Sequence, residues 1–327
     1  MGTPFGRVGK SHERLTNFTI ISLMSLIRIE NGGFEAQILL EVGGRIVSYN
    51  RIGSPNLLES DPNLWNEKKE ERITPAPDML DFKAYNGHEV WLGPQSQWWK
   101  QQNLNDEKKD SDLFWPPDPY ISFGNYAITL QTSDAVQIEG EPSPISGVKM
   151  TKKISILENG NLQFEVSAQN IRNTPVAWDL WLITRVNGMN PNFAPIDDPS
   201  EFELGEPSHP WQGRPTYKIE KGYFSFTPED YDGSFEECTG KAYLRTSHPV
   251  IYTQCGEEWL KLSFDHHNPC EIHPEQAEIE LYNFVCKDPK NCLLELEYHT
   301  PYQTLMPGET MQTSSLWSVG EAPPKRV

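Results

Sequence analysis

The chain has 327 residues, a formal net charge of −18 and a sequence pI near 4.9, a balance that repels polyanions and so excludes nucleic acid and anionic membrane as ready partners. With 37% hydrophobic residues and ten Trp it has ample material for a core, which excludes a disordered chain. No stretch approaches the roughly 18 apolar residues of a membrane helix, so a soluble protein is expected.

The first apolar run, Phe18 to Ile29, follows a weakly basic start, but Arg28 and the Glu30-Asn31-Gly32-Gly33 that follows offer no small-residue cleavage site. It reads as a strand and not as a signal peptide. Period-two alternation, broken every ten or so residues by Gly, Pro, Asn and Asp, then predicts strands at Phe34 to Leu40, Gly44 to Ile52, Tyr126 to Thr132, Val148 to Leu157, Leu162 to Asn170 and Ala177 to Val186. Further strands are predicted at Trp259 to Phe264, Ala277 to Val285 and Leu293 to His299. Helical periodicity nowhere lasts beyond about two turns. The pattern is all-β, an antiparallel sandwich or barrel with long irregular insertions. One insertion, 56–120, carries Trp65, Trp91, Trp98, Trp99 and Trp115. That aromatic content argues for a packed segment over one mouth of the sandwich. A second, Pro-rich insertion covers 187–218. All five Cys (238, 255, 270, 286 and 292) fall in the last 90 or so residues, and Cys286 and Cys292 flank a turn across which a disulfide could close. The odd total leaves at least one thiol unpaired within the chain, and the compartment stays open.

Alternation also sorts faces. In the strand from Ala177, Trp178, Leu180, Leu182 and Val186 share one face, whereas Asp179, Trp181, Ile183 and Arg185 share the other. In Leu293 to His299, the residues Glu295, Glu297 and His299 oppose Leu294, Leu296 and Tyr298. A face mixing Trp with Arg, Asp, Glu and His suits a sugar, whose apolar side packs on an indole while charged groups take its hydroxyls. A solvated outer face would alternate in the same way.

Three segments in order carry a resemblance. Gly43-Gly-Arg-Ile-Val-Ser-Tyr49 precedes Asn56-Leu-Leu58; Gly87-His-Glu-Val-Trp-Leu-Gly-Pro94 follows; and Leu293-Leu-Glu-Leu-Glu-Tyr-His-Thr-Pro301 runs into Leu305-Met-Pro-Gly-Glu309 and Trp317. Together they resemble the DUF4380 branch of the galactose-mutarotase-like supersandwich, over roughly residues 20 to 319. The resemblance implies one β-supersandwich domain over residues 18–319, with an extension at 1–17 and a tail at 320–327.

Aldose mutarotases use a carboxylate base and a histidine acid to open and reclose a sugar ring. By resemblance Glu297 is the candidate carboxylate, with Glu295 beside it. Where the mutarotase histidine would fall the chain has Trp181, whose indole donates a hydrogen bond but transfers no proton near neutrality. His88 is therefore the candidate acid, and Arg45, Trp91, Asp179, Trp181, Arg185, Glu295 and His299 are candidate sugar-binding groups. The run Asp265 to His273 is rich in potential metal ligands, but its spacing matches no standard metal motif and adjacent His266 and His267 point apart on an extended chain. No metal and no cofactor are expected. Nucleotide and serine-hydrolase motifs are absent from the sequence. The expectation is a protein handling a sugar or oligosaccharide, by a Glu and His pair or as a non-catalytic binder. A third reading has the Trp-rich loops bury a protein partner. Oligomeric state is left open.

Overall fold

The structure is a computed structural model that describes residues 25–111, 114–230, 233–320 and 322–325. The chain opens with strands β1 (Leu26–Asn31), β2 (Phe34–Leu39), β3 (Arg45–Arg51) and β4 (His88–Gly93). Three short helices sit around β4: α1 (Pro62–Trp65), α2 (Asp106–Asp110) and α3 (Pro119–Phe123). The middle of the chain forms β5 (Tyr126–Gln131), β6 (Ala135–Gly140), β7 (Val148–Ile156), β8 (Leu162–Asn170), β9 (Val176–Asn187), β10 (Asn192–Pro195), β11 (Phe202–Leu204), β12 (Tyr217–Glu220) and β13 (Tyr223–Phe226). The last part forms β14 (Glu237–Leu244), β15 (Val250–Cys255), β16 (Glu258–Phe264), β17 (Ile279–Cys286), β18 (Leu293–His299), β19 (Gln303–Leu305) and β20 (Thr310–Val319).

These strands make two ten-stranded antiparallel sheets, as the alternating pattern predicts. The first runs β1-β2-β3-β4-β9-β18-β17-β14-β11, with β19 pairing β9. The second runs β12-β13-β10-β15-β16-β20-β8-β7-β6-β5. The large sandwich has long loops, the architecture expected of a mutarotase-like supersandwich. The core lies between the sheets, where every second residue of a strand is apolar. Tyr298 of β18 stacks on Phe264 of β16 at 4.2 Å, and the buried Trp178 of β9 donates its indole N–H to Ser146 O at 3.0 Å. Burying a side chain such as Leu294 or Leu296 contributes about 1.5–3 kcal/mol.

His88 belongs to that core. Its ring meets Phe164 of β8 at 4.5 Å and Trp317 of β20 at 4.9 Å, and its Nδ1 lies 2.9 Å from Thr184 Oγ1. It points toward the second sheet, whereas Glu297 points away from it. The expected pairing of Glu297 with His88 is therefore corrected: the two occupy opposite faces of one sheet. Burial, then the charges of Lys152 and Arg185, push the His88 imidazole well below its ordinary range, so it stays neutral.

The Pro-rich stretch 187–218 is not a plain insertion, since β10 joins the second sheet and β11 edges the first. Of the apolar run beginning at Phe18, Leu26–Asn31 is strand; residues 18–24 and the 1–17 extension lie outside the described residues. Cys286 and Cys292 face each other with their sulfurs 4.0 Å apart, and all five cysteines are free thiols. Among the described residues no helix is long and apolar enough to cross a membrane.

Candidate functional site

Five neighbouring strands turn their second set of residues away from the core. Antiparallel register aligns them: His299 of β18 opposes Trp181 of β9, Glu295 opposes Arg185, and Trp181 also opposes Trp91 of β4. Glu280 of β17 opposes Glu297, and Lys241 of β14 opposes Tyr282. Directly opposed side chains on one face are close enough to interact, and two charged networks result.

The first is closed on itself. Glu89 holds Arg45 at 2.8 Å through one oxygen and Arg185 through the other, and Arg185 Nε reaches Glu295 at 2.7 Å. Arg45 also donates to Val42 O, Asn86 O and Ser122 O, and Arg185 lies beneath Trp91 with its guanidinium 5.4 Å from the ring centre. Burial works against the Glu89 carboxylate, yet the two guanidiniums hold its pKa below the usual carboxylate range. With every charge internally matched, Arg45, Arg185 and Glu295 fasten strands together. The structure does not bring Arg45 to a ligand pocket.

The second network shares one cation between two buried carboxylates and adds an imidazole. Lys241 Nζ sits 2.5 Å from Glu280 Oε2 and 2.9 Å from Glu297 Oε2. The Trp181 indole donates to the same Glu297 oxygen at 2.5 Å. His299 Nε2 is 3.4 Å from Glu280 Oε2; its Nδ1 is 3.2 Å from Asp179 Oδ1 and 2.8 Å from the side-chain amide of Gln276. Asp179 stands over Gly93, where a Cβ would lie 2.5 Å and 2.6 Å from the carboxylate oxygens and collide with the Gln276 amide. Glycine at 93 is thus what lets Asp179 reach His299.

The shared cation divides the two acids. Burial raises Glu297, Lys241 lowers it, and the repulsion of Glu295 and Glu280 adds to the rise, leaving its pKa at about 7. Burial would also raise Glu280, but Lys241 and His299 overcome it and bring its pKa to about 2. For His299 burial disfavours the imidazolium, but Glu280 and Asp179 prevail and raise its pKa to about 9. Burial pushes the Asp179 carboxyl up, offset by His299. A carboxyl titrating near neutrality beside a charged imidazole is the environment in which acid and base roles separate.

A pocket of about 320 Å³ opens on this network, lined by Trp181, Lys241, Tyr243, Gln276, Glu280 and by the Pro94-Gln95-Ser96 turn among others. Larger hollows lie elsewhere, such as one of about 400 Å³ over the outer side of the second sheet and one of about 620 Å³ near Phe193. Neither is lined by these coupled acids. The Trp-rich segment packs over the pocket's inner wall on the outer face of the first sheet, not over a mouth of the sandwich: Trp98 stacks on Trp181 at 5.9 Å, and Trp91 meets Trp98, Trp115 and Trp181 edge-on.

Of the nine residues expected at the site, Trp181 lines the pocket. Glu297, Asp179 and His299 stand directly behind it, bonded to its wall; Trp91 lies under the indole cluster; Arg45, Arg185 and Glu295 are tied into the first network; and His88 is on the other face. Lys241, Tyr243, Gln276 and Glu280 were not anticipated. Their signal was present, since Glu278, Glu280 and Tyr282 alternate with Ile279 and Leu281 just as Thr239, Lys241 and Tyr243 alternate with Gly240, Ala242 and Leu244.

Glu280, Glu297 and His299 converge closely enough that their ligand atoms lie within 4.8 Å of one another. Lys241 already brings its charge to both carboxylates. The His-rich run is not convergent: Glu278 receives His266 Nδ1 at 2.9 Å and the His267 amide at 2.5 Å, and His273 packs against Tyr302.

The family described as "Domain of unknown function (DUF4380)" matches residues 24–320. No curated protein matches the chain. Among solved structures, a galactose mutarotase-like protein from Lactobacillus casei superposes with a TM-score of 0.58 at 13% identity, covering 90% of this chain and 100% of its own. A galactose mutarotase-like protein from Clostridium acetobutylicum gives 0.53 at 13% identity, covering 91% and 96%. A galactose mutarotase related enzyme from Lactobacillus acidophilus gives 0.51 at 9%, covering 93% and 100%. At these identities the likeness is one of fold.

Proposed function

The chain belongs to the DUF4380 family, and from that membership and the geometry of the pocket we propose that it is a carbohydrate-handling protein whose site is the pocket lined by Trp181, Lys241, Gln276 and Glu280. In this reading Glu297 is the proton acceptor and His299 the proton donor. The observation that carries it is the coupled set behind the pocket wall, in which one carboxyl titrates near neutrality and a neighbouring imidazole is held charged. Two buried acceptors there, Glu297 Oε1 and Asp179 Oδ2, have no hydrogen-bond partner. Leaving such atoms unpaired is costly, and a polyol brings the donors they lack. The indole of Trp181 supplies the apolar surface beside which a sugar ring packs.

The chemistry follows from the two roles. A base that takes the anomeric hydroxyl proton while an acid protonates the ring oxygen opens a pyranose, and the reverse closes it. Lys241 and Trp181 both hold Glu297 Oε2, and both line the pocket. A sugar hydroxyl that takes the place of either donor brings that oxygen into reach.

One observation favours binding without turnover: Glu297 is wholly buried and engaged by Lys241 and Trp181. Calorimetry with a panel of neutral and acidic sugars, followed by NMR of anomeric exchange for wild type and Glu297→Gln, separates the two. Binding with exchange that the substitution abolishes supports the enzyme. Binding with no exchange in either protein supports a lectin-like role, and binding of no sugar refutes both.

A further inference from the structure

A second aromatic surface lies on the same sheet face. The loop between β11 and β12 carries Trp211, 68% exposed, with its indole stacked on the His209 ring at 4.4 Å and 5°. One side of the indole is covered by the imidazole. A wide aromatic surface left in water costs free energy unless something covers it.

The loop is rigidly fastened. The Ser208 amide donates to Thr239 Oγ1 at 2.8 Å, the Thr239 hydroxyl donates to Gln212 Oε1 at 2.8 Å, and the Gln212 amide donates to Glu237 Oε2 at 3.0 Å. The backbone closes the same tie, with Gly213 N donating to Glu237 O and Thr239 N to Gly213 O, each at 3.0 Å. Thr239 is two residues from Lys241 on one strand, so both point to one face and lie roughly 7 Å apart along it. Ser208 Oγ also lies 3.4 Å from the hydroxyl of Tyr282, the register partner of Lys241. A hollow of about 680 Å³, bordered by Ser208, His209, Arg214 and Phe235, opens on the His209 side of the loop.

A preformed aromatic platform on the same sheet face as a sugar-sized pocket, on a loop fastened to the strand that carries Lys241, is suited to a further ring of the same ligand. We propose that the Trp211 and His209 platform is a second sugar subsite and that the ligand is a linked chain of sugars, one unit in the Trp181 pocket and another further along the chain over Trp211. This rests on the Trp181 pocket being a sugar site. The free indole side takes the apolar face of the ring, and the Arg214 and Glu206 pair at the rim of the hollow offers groups to its hydroxyls.

Calorimetry with glucose, galactose and mannose and with tetrasaccharides of each, on wild type, Trp211→Ala and Trp211→Phe, tests it. Trp211 is exposed, so neither substitution disturbs the core. The expected result is a tetrasaccharide that binds wild type about tenfold tighter than its own monosaccharide. Trp211→Ala should lose most of that margin while its monosaccharide affinity stays within twofold, and Trp211→Phe should recover part of it. A monosaccharide that binds with no gain from added units overturns the second subsite while the pocket stands, as does a gain that survives in Trp211→Ala. If no sugar of either length binds, the pocket reading fails and the subsite fails with it.

Discussion

Replacing Glu297 by Gln removes one titration from the site while keeping the side chain's shape and an oxygen for Trp181 and Lys241. The consequence for stability has a definite sign. Glu297 ionises at about 7 in the folded protein against an ordinary 4.5, so it holds its proton more tightly when folded. Such a group adds stability that is fully present below pH 4.5 and is lost as pH rises through 7. Between pH 5 and pH 8 these two values correspond to about 2–3 kcal/mol of folding free energy. His299, raised to about 9, also loses stability in the upper part of this window, but it is retained in the variant and largely cancels in the comparison. Urea unfolding of both proteins at pH 5, 6, 7 and 8 provides the assay. Wild type should lose about 2–3 kcal/mol more than Glu297→Gln across that range. Parallel pH profiles would refute the reasoning, because they would mean that the buried carboxyl ionises as it does in water.

Two further outcomes separate structural from functional charge. Glu89→Gln leaves the Arg45 and Arg185 guanidiniums buried without the carboxylate that neutralises both, and should cost about 3–5 kcal/mol in denaturant unfolding. His88→Ala removes a ring packed between Phe164 and Trp317 and should cost about 2–4 kcal/mol; sugar affinity by calorimetry should be unchanged in whatever fraction remains folded, since His88 faces the other side of the sheet.

The fold was legible where alternation is long and regular. In β9 and β18 the period-two pattern placed Asp179, Trp181, Arg185, Glu295, Glu297 and His299 on one face, and the register aligns them there. The same rule places His88 and Trp91, three residues apart in β4, on opposite faces. His88 enters the site only as a substitute for the histidine whose place Trp181 holds, and strand geometry overrules that assignment. Lys241 was not foreseen because β14, with Gly240 at its centre, gives a weak strand signal, and Glu280 because no face was assigned to β17. Neither the charge matching of Arg45 by Glu89 nor that of Glu297 by Lys241 could be read from sequence. Their partners are 44 and 56 residues away, and only cross-strand register makes them neighbours.

On the proposed sugar chemistry, register also bears on where an acid can stand, since Trp181 falls where the resemblance to mutarotases implies a histidine. An indole cannot hand over a proton near neutral pH, so a site with Trp at that position needs its imidazole from elsewhere. His299 is the residue directly opposite Trp181 on the adjoining strand, its ring 5.0 Å from the indole. Asp179, two residues before Trp181 and on the same face, orients it through Nδ1. A histidine shifted by one strand keeps the sheet face and the neighbouring carboxylate while changing the direction from which a proton arrives. The indole donates to Glu297 and fixes the orientation of that carboxylate. On the proposed reading, replacing Trp181 would remove one of the two donors on the Glu297 oxygen, leaving Lys241 in place, and would not remove the acid.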